Sequence, residues 1–237
     1  MNRGFTLLEI TIVLMIIGLL AAGIIAGDTL LRSSQLRAVI AEEQSYVKAL
    51  GQFQDKYQAL PGDFTNATVL WSNTADGDGN GHITDQTVAT FAEQYRAWQH
   101  LQLADFSDKV VTAFPSTNTR VPGTNIPESQ LKGAGWGLIH IPNDIASGGF
   151  TDLPYIAGDT LPGHVLWLGG PTISGNAMAG VLSPEEALSI DTKMDDSKGN
   201  SGKIIGQVDS NCFNSSTGVY AVTQTGRNCS LAFKTAY

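Results

Sequence analysis

Residues 1–27 read MNRGFTLLEITIVLMIIGLLAAGIIAG. They contain a single basic residue, Arg3, and an apolar run follows it. There are 18 residues without a charge from Ile10 to Gly27, and the stretch Phe5–Leu8 extends the apolar character upstream of Glu9. As a helix the run from Phe5 would be about 34 Å long, enough to cross a hydrocarbon core of about 30 Å. The segment therefore predicts a membrane-spanning helix with one carboxylate near its start, and a carboxylate in a membrane helix is by default interpreted as a functional residue whose partner has to be identified.

The rest of the 237-residue chain has the composition of a folded, acidic domain. The whole chain contains 22 acidic against 14 basic residues, and 42% of its residues are hydrophobic. Proteins that bind nucleic acid neutralise phosphates with clustered Lys and Arg, so the net charge of -8 argues against a general nucleic-acid binder. The length suits either one fair-sized domain or a domain preceded by a membrane anchor.

An amphipathic pattern continues directly after the apolar run. Apolar residues recur at steps of three and four, with charged residues between them, which predicts one buried stripe on a helix. The stripe is Leu36, Val39, Ile40, Tyr46, Val47, Leu50, Phe53 and Tyr57. Pro61-Gly62 ends the pattern. Because no flexible linker appears near residue 28, one helix is predicted from Phe5 to about Gln58, with its membrane part at 5–27, its amphipathic part in 28–60 and a head at 61–237.

The stretch Gly4-Phe5-Thr6-Leu7-Leu8-Glu9, followed by the apolar helix, resembles the N-terminus of type IV pilins and of the pseudopilins of type II secretion. The resemblance implies that prepilin peptidase cuts between Gly4 and Phe5 and methylates the new amine of Phe5. Residues 1–4 are then a leader peptide. The family fold implied is α+β: a long N-terminal helix packed on an antiparallel sheet, with an exposed C-terminal disulfide region.

The resemblance also implies a partner for Glu9, namely the N-terminal amine of Phe5 on a neighbouring subunit. The alternative without a functional role is that Glu9 lies at the membrane interface and is solvated there. Further implied partners are other pilin or pseudopilin subunits, an inner-membrane platform protein and an assembly motor. The expected location is the bacterial inner membrane, single-pass, with a cytoplasmic N-terminus and a periplasmic head that becomes extracellular after assembly into a pilus. No proline interrupts Ala21–Gly27, which tilts the expectation toward a pseudopilin or a minor pilin.

The head contains a predicted helix followed by predicted strands. The helix runs for about 17 residues and presents Val88, Phe91, Tyr95, Trp98 and Leu101 on one face. The strand candidates are Gly135–Ile141, Gly163–Leu168, Lys203–Val208 and Val219–Val222. One long helix first and several strands later favours an antiparallel sheet packed on that helix. Cys212 and Cys229 suit a disulfide formed in an oxidising compartment, although two buried thiols remain the alternative.

The stretch Asp76-Gly77-Asp78-Gly79-Asn80-Gly81-His82-Ile83 resembles the start of a calcium-binding loop. Oxygen ligands at alternate positions and a glycine at the sixth position fit calcium, which prefers six to eight oxygens. The predicted ligands are Asp76, Asp78, Asn80, the carbonyl of His82 and Asp85. Position 12 is Thr87 rather than glutamate, and a tight turn without an ion is the alternative. Asp191, Asp195 and Asp196 form a second acidic group, which is interpreted as a solvated loop.

No sequence motif of catalysis appears in the chain. It contains no G-x-S-x-G, H-E-x-x-H, G-x-x-x-x-G-K or CxxC motif. Its four histidines, His82, His100, His140 and His164, show no metal-ligand spacing and are interpreted as surface or structural residues. The sequence therefore predicts a non-enzymatic, minor subunit of a type IV pilus-like filament. A type II secretion pseudopilin and a membrane-anchored adhesin or ligand-binding module are the alternatives.

Overall fold

The computed structural model describes residues 6–83, 93–114, 119–141, 163–174, 177–206 and 211–237. Helix α1 covers Leu7–Tyr57, 51 residues in one unbroken element, and is therefore about 77 Å long. It ends where Gln58 takes a left-handed conformation with φ 53°, three residues before Pro61. The continuous helix expected from the sequence is thereby confirmed.

The two halves of α1 have different surroundings. The side chains of residues 7–24 are exposed, and this helix is long and apolar enough to cross a membrane. In the second half one stripe is buried against the head, consisting of Val39, Tyr46, Ala49, Leu50 and Phe53. The Tyr46 ring lies 5.0 Å from the ring of Trp98 and 5.8 Å from that of Trp136. The amphipathic half of α1 is thus part of the core of the head.

The head is built on a four-stranded antiparallel sheet. Its strands are β1 (Gly135–Ile141), β2 (Gly163–Gly169), β5 (Ile204–Gly206) and β6 (Leu231–Lys234). The strand order is β1-β2-β6-β5, with all neighbours antiparallel. Strands β3 (Thr172–Ser174) and β4 (Ala177–Met178) form a separate two-stranded sheet. The predicted α+β class with a long N-terminal helix is confirmed.

Three short helices accompany the sheet. They are α2 (Ala67–Leu70), α3 (Glu93–Leu103) and α4 (Pro184–Met194). Helix α3 is the described part of the predicted second helix, and Val88 and Phe91 lie outside the described residues. Helix α4 was not predicted, although its start carries a recognisable signal. Ser183 accepts from the backbone N–H of Glu186, whose side chain accepts from the backbone N–H of Ser183, a reciprocal cap that the S-x-x-E pattern encodes.

The strand predictions hold for the first three segments and fail for the last. Strand β1 has the predicted bounds, β2 is one residue longer, and β5 begins one residue later and is described up to Gly206. The segment Val219–Val222 is not a strand; Tyr220 there makes only an isolated pairing with Phe213. Val219 and Val222 are largely exposed. The missing central strand is β6, four residues that lie between β2 and β5.

The disulfide between Cys212 and Cys229 is present, with both residues buried. The backbone of Cys229 also exchanges hydrogen bonds with Leu182, with N···O distances of 3.0 and 3.1 Å. A crosslink that closes a loop of this length contributes about 3 kcal/mol in the chain-entropy model. The disulfide therefore closes the irregular segment before β6 on itself, and the Cys229–Leu182 backbone hydrogen bonds tie that segment to the one that leads into α4.

Candidate processing, assembly and cation sites

The predicted processing residues, Gly4 and Phe5, lie outside the described residues. The first described contacts belong to Thr6 and Glu9 and close the N-terminus of α1. The Glu9 carboxylate accepts from the backbone N–H of Thr6 at 2.8 Å and from its hydroxyl at 2.9 Å. The Thr6 hydroxyl accepts in turn from the backbone N–H of Glu9 at 3.3 Å. In the single chain Glu9 is thus the N3 residue of a capping box whose N-cap is Thr6. This role of Glu9 was not predicted from the sequence.

One ion pair fastens α1 to α4 just beyond the apolar segment. The Arg32 guanidinium donates to both oxygens of Glu186, at 2.6 and 2.7 Å, and to the carbonyl oxygen of Val181 at 2.8 Å. Both side chains are about four-fifths buried. Glu186 has a lowered pKa because the Arg32 and Ser183 hydrogen bonds outweigh the opposing effect of burial, which is its largest single contribution. The two-pronged geometry fixes the angle of the helix against the head at this level.

A single carboxylate joins α1 to the β1 side of the head. Glu42 accepts from the Ser129 hydroxyl at 2.5 Å, from the backbone N–H of Gln130 at 2.8 Å and from Nε1 of Trp136 at 2.8 Å. These three donors come from one turn and from β1. Without the Glu42 carboxylate, these three donors would lose their common acceptor at a partly buried surface, which costs free energy of folding. Neither Arg32 nor Glu42 was singled out from the sequence, since each reads as an ordinary charge on a helix face.

The structure places the predicted calcium ligands in different directions. The Asp76 carboxylate accepts from the backbone N–H and the hydroxyl of Thr68, both at 2.8 Å, at the start of α2. Asp78 accepts from the backbone and side-chain nitrogens of Asn80, and Asn80 accepts from the backbone N–H of His82. Such contacts are typical of Asx turns, the alternative considered for this loop. Asp85 lies outside the described residues.

The carboxylates that converge on this loop are those of Asp63, Asp78 and Glu93, whose oxygens lie within 4.8 Å of one another. Asp63 is 4% exposed and accepts from the backbone N–H groups of Asn80 and Gly81, at 3.0 and 2.9 Å. Burial raises the pKa of Asp63 above its ordinary value, against the effect of these hydrogen bonds. Asp63 precedes the loop and Glu93 opens α3, so a linear motif does not identify either.

A glycine is required where the loop passes closest to the chain segment before α2. A Cβ on Gly77 would lie 2.2 Å from the backbone carbon of Asp63, and the backbone N–H of Gly77 donates to the carbonyl of Phe64 at 2.9 Å. This close approach holds Asp78 beside Asp63. The glycine at this position therefore serves the packing of the loop as well as its turn.

Three of the four histidines, which show no metal-ligand spacing in the sequence, meet in the structure. The ring centroids of His82 and His140 are 3.9 Å apart and those of His140 and His164 are 4.8 Å apart, with His140 and His164 opposite each other in β1 and β2. His164 Nε2 accepts from the backbone N–H of Ile83 at 3.0 Å, and its Nδ1 lies 2.9 Å from the backbone oxygen of Tyr237. His164 thus fastens the end of the acidic loop to the sheet. Burial, with the neighbouring rings adding, lowers the pKa of His140 to about 4.

His100 fastens the other end of the same loop and is fully buried. Its Nδ1 accepts from the backbone N–H of Gly62 at 2.9 Å, so that Nε2 carries the proton shared with Thr74 and Ala75, both at 3.1 Å. Burial lowers the pKa of His100 to about 4. The interpretation of this residue as a satisfied structural histidine is supported by these contacts.

The second acidic group is not simply a solvated loop. Asp191, Asp195 and Asp196 have carboxylate oxygens within 4.8 Å of one another, and Asp191 is fully buried at the end of α4. Asp191 accepts from the Tyr220 hydroxyl at 2.7 Å and from the backbone N–H of Ser197 at 3.0 Å. Burial raises the pKa of Asp191 to about 6. The group thus holds the turn after α4 against the disulfide-closed segment.

Comparison with known families identifies only the N-terminal segment. Residues 1–25 match the family model described as the prokaryotic N-terminal methylation motif, the prepilin-type signal of type IV pilins and pseudopilins. The match includes the expected cleavage site and Glu9, and confirms the resemblance on which they rest. No curated protein and no solved structure matches the chain. The motif and the exposed apolar helix together fit a membrane-anchored substrate of prepilin peptidase that assembles with other pilins.

Proposed function

We propose that this protein is a non-enzymatic, minor structural subunit of a type IV pilus-like filament. The observation that carries the proposal is the prepilin-type motif at the start of a 51-residue helix, whose apolar side chains at residues 7–24 are exposed among the described parts of the chain. In a filament the exposed apolar half would pack against the same segment of neighbouring subunits after leaving the lipid. The head would remain outside the cytoplasm, where its disulfide is stable.

In this proposal Glu9 changes partners during assembly. In the membrane it caps its own helix through Thr6. In the filament it pairs with the amine of Phe5 on a neighbouring subunit, which offsets the cost of a carboxylate among apolar helices. A platform protein and an assembly motor act in trans to move the subunit.

Substitutions at Glu9 and Thr6 distinguish the contribution of the helix cap to assembly from the contribution of the Glu9 charge. Glutamine at the third helical position retains the capping box, so Glu9→Gln preserves the cap and removes the charge, whereas Glu9→Ala removes both. Thr6→Ala removes the hydroxyl and retains the charge. Leader cleavage is measured by mass spectrometry, and incorporation is measured in sheared or purified filaments.

We expect normal cleavage in all three variants, loss of incorporation for Glu9→Gln and Glu9→Ala, and retention for Thr6→Ala. Normal incorporation of Glu9→Gln would contradict the charge-pair account. Absence of the wild-type protein from every filament, together with a requirement for it in export of folded proteins, would favour the pseudopilin alternative. A ligand bound by the isolated membrane protein, with no filament, would favour the adhesin alternative.

We also propose that calcium stabilises the head at Asp63, Asp78 and Glu93. Three carboxylates within 4.8 Å of one another supply the oxygen chemistry that calcium prefers. Bound there, calcium would offset their mutual repulsion and the cost of burying Asp63. This role is structural, and Asp76 supports it from outside by fixing the loop to α2.

A further inference from the structure

Two grooves of opposite charge run along opposite sides of α1. The acidic groove, of about 400 Å³, is lined by Glu42, Ser45, Tyr46 and residues 105–109. The basic groove, of about 380 Å³, lies where α1 meets α4, β5 and β6. Its lining includes Ile40, Glu43 and Gln44 of α1 and the lysines Lys193, Lys203 and Lys234.

The charges in each groove are unbalanced. The acidic groove has three carboxylates, those of Glu42, Asp105 and Asp108, against one lysine. The basic groove has three lysines against Glu43 alone. Within the described ranges none of these lysines makes an ion pair, the Arg32–Glu186 contact being the one found there. In a protein with net charge -8 this concentration of lysines is a local exception.

The two grooves face nearly opposite directions. The acidic groove touches α1 at residues 42, 45 and 46, and the basic groove touches it at residues 40, 43 and 44. At 3.6 residues per turn the centres of these two sets are roughly 160° apart around the helix axis. One copy can therefore present its basic side to the acidic side of the next copy, when both have the same orientation.

A buried donor and acceptor in the acidic groove remains unused. The Tyr46 side chain is 5% exposed, and its hydroxyl has no hydrogen-bond partner among the described residues. Burial first, and then the charges of Glu42 and Asp108, raise the Tyr46 pKa. The hydroxyl itself is buried, so the acceptors open to an ammonium group that enters this groove are the exposed carboxylates of Asp105 and Asp108.

We propose that adjacent copies of this chain pair side by side through these grooves, with the lysines of the basic groove of one copy facing the carboxylates of the acidic groove of the next. The contact joins two different surfaces, so it can continue from copy to copy wherever copies of this chain are neighbours, and it is compatible with a helical filament when its rotation does not close a ring. The proposal rests on the proposed filament function and adds a contact between heads to the contact between N-terminal helices. It selects a second copy of this chain as the occupant because the two surfaces are complementary in charge.

A charge exchange tests the pairing. Asp108 and Lys203 are exposed, so Asp108→Lys and Lys203→Glu should leave folding intact. Each single reversal should reduce head-to-head contact at least about fivefold, since attraction between exposed charges becomes repulsion. The double variant carries both reversals and should recover the contact, because the signs again match. Glu128→Lys and Lys198→Glu are matched controls, being exposed residues that line neither groove.

The contact is measured on the full-length protein by disulfide crosslinking between two differently tagged copies, one Ser45→Cys and the other Gln44→Cys. Ser45 lines the acidic groove and Gln44 the basic groove, so the mixed pair should crosslink more efficiently than either like pair. Added salt should weaken the crosslink, since exposed charges are screened. Melting temperature is recorded for every variant to show that the fold is unchanged.

The outcomes distinguish the pairing from the filament proposal. Single reversals without effect, or a double variant that does not recover, would overturn the pairing, as would equal crosslinking of like and mixed pairs. If the filament yield is the same for wild type and for the Asp108→Lys and Lys203→Glu variants, the proposed pairing is wrong and the filament proposal still stands. Wild-type copies that crosslink through the grooves but enter no filament would support the pairing and remove the filament proposal.

Discussion

The guanidinium of Arg32 and the carboxylate of Glu186 meet in two parallel contacts of 2.6 and 2.7 Å, where α1 packs against α4. The same guanidinium also reaches the Val181 carbonyl at 2.8 Å. This arrangement combines an ion pair, a link to the main chain and, through Glu186, the N-terminal cap of α4.

Arg32→Ala should destabilise the protein by roughly 1 to 3 kcal/mol, because it leaves the partly buried Glu186 without its guanidinium. Arg32→Lys should recover part of this loss, since one ammonium cannot reproduce the two-pronged contact. Glu186→Gln preserves the cap of α4 and removes only the charge. Urea unfolding of the full-length protein in detergent provides the measurement, and equal stability of Arg32→Ala and wild type would contradict the assigned role.

Glu42→Ala should cost roughly 2 to 4 kcal/mol, because three donors lose their common acceptor at once. Glu43→Ala is the matched control on the adjacent residue. Burial raises the pKa of Glu43, with Lys203 opposing, so its charge is held at a cost and its removal should be close to neutral. Thermal melting compares the two, and similar losses for both would show that Glu42 holds no special position.

Acidification should destabilise the head through His100. Its pKa of about 4 in the folded protein lies below the value of about 6.5 in the unfolded chain. The unfolded chain therefore binds the extra proton first, and stability is lost as the pH falls from about 6.5 toward 4. His100→Gln should flatten this slope, whatever its stability at pH 7. Melting temperatures at half-unit pH steps provide the test, and an unchanged slope would refute the prediction.

Asp191 should act in the opposite direction over the same pH range. Its folded pKa of about 6 lies above the unfolded value of about 3.9, so the folded protein retains the proton longer. Its carboxyl group thus contributes most stability at low pH and loses it as the pH rises toward 6 and above. Asp191→Asn should raise the free energy of unfolding at pH 7 by roughly 1 to 2 kcal/mol relative to wild type. Weakening of the hydrogen bond from the backbone N–H of Ser197 would reduce this gain. The stability difference between variant and wild type should become smaller near pH 4. A difference that does not vary with pH would contradict this account.

Calcium should raise the melting temperature of the full-length protein, and a chelator should lower it. Glu93→Gln should remove most of this response, because one of three converging carboxylates is lost. Asp196→Asn is the control in the second acidic group. A melting temperature that is the same with calcium and with chelator would remove the ion from the proposed function.

Much of this architecture is readable locally. The continuous α1, its buried stripe and strands β1 and β2 follow from residue periodicity and from the break at Pro61, because those signals extend over many neighbouring positions. The capping sequence that begins at Ser183 would also have identified α4. Strand β6 was missed because four residues contain little periodicity, and Val219–Val222 was misassigned because β-propensity alone does not reveal that a segment will remain exposed.

The composition of the sites was less predictable, for a physical reason. Asp63, Asp78 and Glu93 come from three different segments, and His82, His140 and His164 likewise come from a loop and two strands. A linear motif records neighbours along the chain, whereas these groups are assembled by the register of β1 with β2 and by the packing of α3. Asp76 fits the motif, yet the nearby Thr68 offers it two donors within the local turn.

The attachments at Arg32 and Glu42 have a mechanical consequence. They lie ten residues apart on one rigid helix, about 15 Å along its axis. A pull on the head parallel to that axis loads both attachments together in shear, and they must yield nearly at once instead of peeling one after the other. Tension applied to the head is therefore transmitted directly to the apolar half of α1, because no flexible joint separates the two within this continuous helix.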